Sequence, residues 1–202
     1  MYQKYFKRML DLVLSLIALV LLSPVMLIVS ILVKINLGSP VIFKQERPGL
    51  NGKIFTLYKF RSMKNEVDKN GVLLPNEKRI TPFGRRLRST SLDELPELIN
   101  IIKGDMSIIG PRPLLTEYLA YYTEEQSRRH NVRPGLTGVS AISGRASLSW
   151  DEQLEKDVWY VDNISFLLDL KIIFKTFITV FKRENITSDR GKFSDAKKQA
   201  KL

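Results

Sequence analysis

Residues 12–33 read LVLSLIALVLLSPVMLIVSILV, twenty-two residues without a charge. As one helix this run would be about 33 Å long, enough to cross a hydrocarbon core of about 30 Å. It exceeds the roughly 7 to 15 apolar residues of a signal peptide, and no small-x-small cleavage site follows it. Pro24, near its middle, removes a backbone hydrogen bond and clashes with the preceding turn, so a bend is expected there. The halves Leu12–Ser23 and Pro24–Val33 would be about 18 and 15 Å long; each reaches mid-bilayer and neither crosses alone. The Ser23 hydroxyl is placed to satisfy a carbonyl freed at the break. Lys4, Lys7 and Arg8 precede the run and Lys34, Lys44 and Arg47 follow it, so the positive-inside bias selects no orientation for a spanning helix. A re-entrant helix with both ends on the cytoplasmic face fits that symmetry, and a kinked spanning helix stays open beside it.

Beyond the run, Val41–Arg47 and Lys53–Phe60 are rich in aromatic and β-branched residues and are separated by Pro48-Gly49 and Asn51-Gly52, the pattern of a β-hairpin. Glu66 to Pro82 is polar and broken by Gly71, Pro75 and Pro82, as in a surface loop. Helical patterns resume over Leu95–Ile102 and Pro113–Arg129. Near the end, Phe166, Leu170, Ile173, Phe174, Phe177 and Phe181 recur at helical spacing, with Asp169, Lys175, Thr176, Lys182 and Arg183 on the other side. Such a helix either covers the protein core or lies in the membrane interface. After Arg183 the apolar pattern is lost, and the basic tail to Leu202 is expected to be disordered and drawn to anionic lipid. The fold class is therefore mixed α/β and mainly helical.

Thirty-two Lys and Arg against 21 Asp and Glu give a net charge of +11 over 202 residues, which implies an anionic partner: nucleic acid, a lipid headgroup or a phosphorylated substrate. The chain has no cysteine and one histidine, which excludes disulfides, a thiol nucleophile, Cys-ligated zinc and a His-rich metal site. Candidate chemistry gathers at Ser91-Leu-Asp93-Glu94-Leu-Pro96-Glu97. Ser91 with Glu94 three residues on has the pattern of a structural capping box. Pro96 argues that this reading is incomplete, because it would cost a hydrogen bond at the fifth helical position. The regular helix should then begin nearer Glu94, leaving Asp93 at an exposed helix entrance that also suits phosphate.

Lys59, Arg61, Arg85, Arg86, Arg88, Arg112, Arg133 and Arg145 are candidate phosphate ligands, each more often a solvated charge when taken singly. Three stand in turn-rich settings, Gly110-Pro111-Arg112-Pro113, Arg133-Pro-Gly135-Leu-Thr-Gly138 and Ser143-Gly-Arg145, where Pro fixes the backbone and Gly permits close approach. No Walker or Rossmann glycine pattern occurs, so a nucleotide would be held by side chains and irregular loops.

The Ser23-Pro24 break, Tyr58-Lys-Phe-Arg-Ser-Met63, Ser91-Leu-Asp-Glu-Leu-Pro96, Lys103-Gly-Asp-Met-Ser107, Gly110-Pro-Arg-Pro113 and Arg133-Pro-Gly-Leu-Thr-Gly138, in this order, resemble the signature of the monotopic phosphoglycosyl transferases, or bacterial sugar transferases. The resemblance runs from about Tyr2 to Phe181 and is specific through the order of six motifs. It implies a re-entrant membrane segment over 1–36, a catalytic domain over 37–183 on the cytoplasmic face of the bacterial inner membrane, and a tail over 184–202. It further implies that Asp93 is the nucleophile toward a UDP-sugar and takes the phosphosugar as an acyl phosphate, that Glu94 assists Asp93 or the incoming polyprenyl phosphate, and that magnesium binds at Asp93. Arg112, between Pro111 and Pro113, and Arg145 would contact the donor or its phosphates, with Lys59 and Arg88 as further candidates. A carboxylate is a competent nucleophile toward phosphorus, and arginines offset the charge that repels it from a diphosphate.

Within the family the short chain resembles the branch that initiates protein N-glycosylation from UDP-N,N'-diacetylbacillosamine, a likeness that extends to Asn163-Ile-Ser-Phe-Leu-Leu-Asp-Leu-Lys171. It departs from the family at Val139-Ser-Ala-Ile-Ser143, where two amide side chains common in members are missing, and this bears on the sugar more than on the reaction. Two other classes would also explain the charge. A membrane-anchored nucleic-acid module predicts aromatics interleaved with a basic surface and has no use for an Asp-Glu pair. A non-catalytic scaffold leaves the Pro- and Gly-fixed arginine turns without a purpose. Neither is preferred, and nucleic acid is not expected as a partner.

Overall fold

A computed structural model describes residues 2–144, 147–182, 191, 193, 195 and 196. A π-helical turn at Tyr2–Phe6 leads into helix α1, Lys7–Leu37, which contains the whole apolar run with Pro24 inside it. Proline cannot donate to the carbonyl four residues back, that of Val20, and the Ser23 hydroxyl donates to that same oxygen at 2.8 Å. The helix ends at Gly38, whose φ of 78° suits glycine and whose N–H reaches the Lys34 carbonyl. Among the described residues α1 is the one helix long and apolar enough to cross a membrane by length and composition.

One stripe of α1 faces the rest of the chain. Lys7, Asp11, Ser15, Val29 and Val33 are buried along it, and Ala18, Leu19, Leu22 and Met26 pack between them. The segments before and after Pro24 therefore both lie against the domain. Outward, Val20, Leu21, Leu27 and Ile35 are each more than 60% exposed, an apolar surface too large to leave in water.

Strands β1 (Ile42–Pro48) and β2 (Ile54–Phe60) form the expected antiparallel hairpin, paired from Ile42 with Phe60 to Pro48 with Ile54. On β2, Leu57 packs against α4 (Glu97–Lys103) through Leu98 and Ile101, and Phe60 packs against Val29 and Val33 of α1. Asn100 of α4 is fully buried; its side chain accepts from the Tyr58 N–H at 3.0 Å and donates to the Thr56 carbonyl at 2.7 Å, fixing α4 on the strand.

The expected loop from Glu66 to Pro82 contains one helical turn, α2 (Asn76–Arg79), and its end opens α3 (Pro82–Ser89), a helix hidden in the sequence by its basic residues. Thr81 caps α3 by accepting from the Gly84 N–H, with Pro82 at the first position. A Cβ on Gly84 would sit 1.8 Å from the Ser62 carbonyl oxygen, so glycine lets α3 rest directly on the backbone that follows β2.

Short parallel strands β3 (Ser107–Ile109) and β4 (Gly135–Thr137), which the sequence did not suggest, pair the two glycine-rich arginine turns. A Cβ on Gly135 would fall 2.1 Å from the Gly110 nitrogen, so these turns touch backbone to backbone. The helix expected over Pro113–Arg129 is instead a set of short turns, 3-10 turns at Thr116–Tyr121 and Arg128–Asn131 around α5 (Glu124–Ser127). Thr123 caps α5 with its side chain and so restarts the backbone in the middle of the segment. After α6 (Val139–Ile142) come α7 (Trp150–Asp162), opened by a Ser149–Glu152 capping box, and α8 (Phe166–Lys182).

The orientation of α8 decides between its two readings. Among its described residues Asp169 and Ile172 are buried, whereas Phe166, Leu167, Leu170, Phe174, Phe177 and Ile178 are exposed. The aromatic stripe does not cover the core. Asp169 ties α8 to the start of the chain: its carboxylate accepts from Lys7 Nζ and the Tyr2 hydroxyl, both at 2.7 Å, and from the Tyr160 hydroxyl at 2.8 Å. Of the tail expected to be disordered, Phe193 is buried among Tyr118, Tyr122 and Trp150; most of 184–202 lies outside the described residues, as does the side chain of Phe181.

Candidate active site

Asp93 and Glu94 stand on a single 3-10 turn, Leu92–Glu94, between α3 and α4. The chain enters this turn through Ser91 with φ 56° and ψ 14°, a left-handed conformation uncommon for a non-glycine residue. Ser91 makes no side-chain cap bond, so the capping box read from the sequence does not form. Pro96 takes the N-cap position of α4, where its missing N–H costs nothing, and the helix begins at Glu97. The expectation of an exposed Asp93 is likewise corrected: Asp93 is 7% exposed. Leu92 and Leu95 draw the turn inward by packing into the cluster of Val29, Val33, Phe60 and Leu87, which Met26 of α1 also joins. The stretch of α1 beyond Pro24 thus supports the acidic turn.

The two adjacent carboxylates differ sharply in their surroundings. Glu94 Oε1 is 2.7 Å from Lys59 Nζ and 2.8 Å from Arg112 Nη2. Lys59 also pairs with the buried Glu97, at 2.9 Å. Asp93 has no ion pair or hydrogen bond among the described residues. Burial and the neighbouring Glu94 push its carboxyl up to about 6, with Lys59, Arg88 and Arg112 opposing. For Glu94, burial pushes upward but Arg112 and Lys59 prevail and hold it well below the usual carboxylate range. Burial pushes Glu97 up to about 7 against the pull of Lys59.

Arg112 stands in the turn between Pro111 and Pro113, with its side chain about half exposed and its charge reinforced by Glu94. The turn is held from behind. The buried Arg129 donates to the Arg112 carbonyl at 2.6 Å and pairs with Asp157 at 2.7 Å, and Ser140 donates to the same carboxylate at 2.9 Å. The Gly135 N–H donates to the Pro111 carbonyl at 2.9 Å. Arg88, at the end of α3, donates from Nε to Ser62 Oγ at 2.8 Å, and burial lowers its pKa while Asp93 works against that.

Of the residues singled out in the sequence, the fold brings Asp93, Glu94, Lys59, Arg88 and Arg112 together, with Pro111 and Pro113 framing the last. Arg145 lies outside the described residues. Ser23 and Pro24 belong to the membrane-facing helix, joined to the site through Met26. Glu97, Arg47 and the Arg129–Asp157 pair were not foreseen. Glu97 stood inside the quoted acidic motif, yet only the fold shows that it and Glu94 share one lysine.

No group of three or more His, Cys, Asp or Glu side chains is placed to hold a metal among the described residues. Magnesium needs less from a protein, since one or two carboxylates with substrate phosphates and water suffice. Asp93, the carboxylate not already taken by cations, meets that requirement.

An exposed apolar face of α1 and a buried acidic pair flanked by cations are thus joined in one fold. The chain belongs to the bacterial sugar transferase family, whose model matches residues 2–183. It is 53% identical over 180 residues to the uncharacterized sugar transferase EpsL of Bacillus subtilis, covering 89% of each chain. It is 38% identical over 198 residues to the undecaprenyl-phosphate galactose phosphotransferase of Salmonella typhimurium, covering 90% of this chain and 41% of that one. With the UDP-glucose:undecaprenyl-phosphate glucose-1-phosphate transferase of Escherichia coli K12 it shares 42% identity over 188 residues, 87% of this chain and 39% of that one. The chain thus spans about two fifths of the length of these two relatives.

Proposed function

We propose that this protein transfers a sugar 1-phosphate from a UDP-sugar to undecaprenyl phosphate, releasing UMP, through a covalent intermediate on Asp93. The asymmetry of the acidic pair carries this reading. Glu94 is neutralised by two cations, while Asp93 keeps its oxygens unengaged beside them. An Asp93 oxygen forms a bond to the phosphorus that bears the sugar, and the bond from that phosphorus to the bridging oxygen breaks, with the electron pair leaving on UMP. An oxygen of undecaprenyl phosphate then bonds to the same phosphorus and expels the Asp93 carboxylate. Glu94, locked by Lys59 and Arg112, fixes the guanidinium that meets the donor phosphates. Lys59 is occupied by Glu94 and Glu97 and so acts by holding Glu94. Magnesium bound at Asp93 with the donor diphosphate would offset phosphate charge.

The same reading places the protein in the bacterial cytoplasmic membrane as a monotopic enzyme, its site facing the cytoplasm and α1 re-entrant. Three observations support it: α1 rests on the domain along both segments flanking Pro24, Ser23 satisfies the carbonyl freed at Pro24, and α8 turns its Phe side outward. The relatives named for glucose and galactose widen the donor choice, so UDP-N,N'-diacetylbacillosamine is the first candidate in a panel with UDP-glucose, UDP-galactose and UDP-N-acetylgalactosamine. The product would begin glycoconjugate or protein N-glycan assembly. Purified protein in lipid nanodiscs, given undecaprenyl phosphate and magnesium, should release UMP from at least one of these donors. Release from none would overturn the assignment.

A further inference from the structure

Several buried and half-buried cations among the described residues are compensated in recognisable ways, and Arg47 contrasts with them. Lys7, Lys59, Arg112 and Arg129 pair with carboxylates. Arg8 and Arg133 donate to carbonyls at the end of α4, and Arg61 to the last carbonyl of α1, where helix dipoles are negative. Arg47, near the end of β1, has no carboxylate within ion-pair distance among the described residues. Its Nη2 meets the neutral Gln45 amide at 2.6 Å, its Nη1 makes a long 3.3 Å contact to the Pro113 carbonyl, and its buried Nε has no partner. A desolvated guanidinium left in this state is costly unless an anion completes it.

Its position says which anion. Arg47 lines one small cavity with Lys59, Glu97, Arg112 and Pro113, and Lys59 and Arg112 there are the two cations that pair with Glu94. Lys59 is spent on two carboxylates, whereas Arg112 is half exposed and Arg47 unpaired, so two guanidinium forks border one space. They repel each other: burial first, then Arg112, lowers Arg47 to about 10. A phosphate group between them would relieve that repulsion and accept from both forks. The cavity is also walled by Leu114, which packs with Tyr118 and Trp150, and by Leu57, which packs against α4 and against Ala18, Leu19 and Leu22 of α1. In the reaction proposed above Arg112 meets the donor phosphates, so the anion that completes Arg47 beside it is the donor's.

We infer that Arg47 and Arg112 together form the seat for the nucleotide phosphate of the donor, the phosphate that departs as UMP. This rests on the reaction proposed above and assigns one of its substrates to a place. The test uses the full chain in nanodiscs with UMP as probe, comparing wild type, Arg47→Gln and Arg47→Lys, each checked by thermal melting. Arg47→Gln should weaken UMP binding on the order of 10- to 100-fold, the usual range for losing charge-assisted hydrogen bonds, and Arg47→Lys should weaken it less. The KM for the donor should rise in parallel, with the KM for undecaprenyl phosphate unchanged. UMP affinity equal to wild type in either folded variant would overturn the assignment, and so would a change confined to the acceptor KM, which would give the seat to the lipid phosphate. Should Arg47→Gln fail to fold, Arg47→Lys alone decides by the same criteria. Wild type that neither binds UMP nor releases it would sink the proposed reaction, a result distinct from active wild type with an indifferent Arg47.

Discussion

The Ser23 hydroxyl donates to the Val20 carbonyl at 2.8 Å, the acceptor that Pro24 deprives of its helical N–H. An unsatisfied carbonyl inside a bilayer costs several kcal/mol, so this contact lets a helix carry proline at membrane depth. The re-entrant reading proposed above puts both ends of α1 on the cytoplasmic side. The chain has no cysteine, so single cysteines at Gln3 and Asn36 are clean reporters. Neither should react with a membrane-impermeant thiol reagent added outside intact cells. Labelling of one would establish a spanning helix. Replacing Ser23 and Pro24 by Leu should expose one of the two positions, because it restores the N–H and lengthens the apolar run.

The hairpin, the membrane helix and the acidic pair were legible because each is written locally, in alternation, in length and in one dipeptide. The short strands β3 and β4 were not, since each is three residues long and exists only because Gly110 and Gly135 let two distant turns touch. Helix α3 was hidden because its apolar contribution to the core is only Phe83 and Leu87, set among arginines. The burial of Asp93 depends on Leu92 and Leu95 meeting residues some sixty positions away on α1, which no local window contains. Arg47 read as a charge flanking a membrane segment, since its lack of a carboxylate partner is a tertiary property.

The pH dependence of the first half-reaction should follow Asp93. Its carboxyl is raised to about 6, so it is largely ionised at pH 7 and neutral, hence non-nucleophilic, below 6. The rate of UMP release without acceptor should fall as pH drops through about 6, and added magnesium should move that limb to lower pH by favouring the anion. A flat profile between pH 5 and 8 would remove Asp93 as the titrating nucleophile.

Glu97 gives a separate dependence, in stability. Its folded-state value near 7 lies above the ordinary 4.5, so its stabilising effect is full below 4.5 and is lost as pH rises through 7. Glu97→Gln resembles the protonated acid at every pH. Relative to wild type it should gain up to about 3 kcal/mol between pH 5 and pH 8.5, read from thermal or denaturant unfolding. An unchanged difference across that range would show that Lys59 holds Glu97 ionised throughout.

Arg112→Ala should cost on the order of 2 to 4 kcal/mol of transition-state stabilisation, the scale expected for a phosphate clamp. Because its side chain is half exposed, the melting temperature should move little. Arg145→Ala is expected to lose a similar amount, as the family pattern implies. Near-normal kcat/KM in either variant would exclude that arginine from the site.

The two carboxylates of the pair should separate cleanly, because a covalent route needs Asp93 before any acceptor arrives, whereas direct transfer needs undecaprenyl phosphate in the same step. Enzyme with magnesium and the donor found active should release up to one equivalent of UMP and carry the phosphosugar on Asp93. Asp93→Asn should abolish this, since an amide has nearly the same shape and is a poor nucleophile. Glu94→Gln acts differently: it removes the charge that holds Lys59 and Arg112, both within 2.8 Å, so it should slow both half-reactions while leaving a detectable adduct. Mass spectrometry of protein quenched without acceptor locates that adduct. Finding it on Glu94 would exchange the roles of the pair. UMP release that requires acceptor, with no adduct in a single turnover, would establish direct displacement and leave Asp93 as a base or a magnesium ligand.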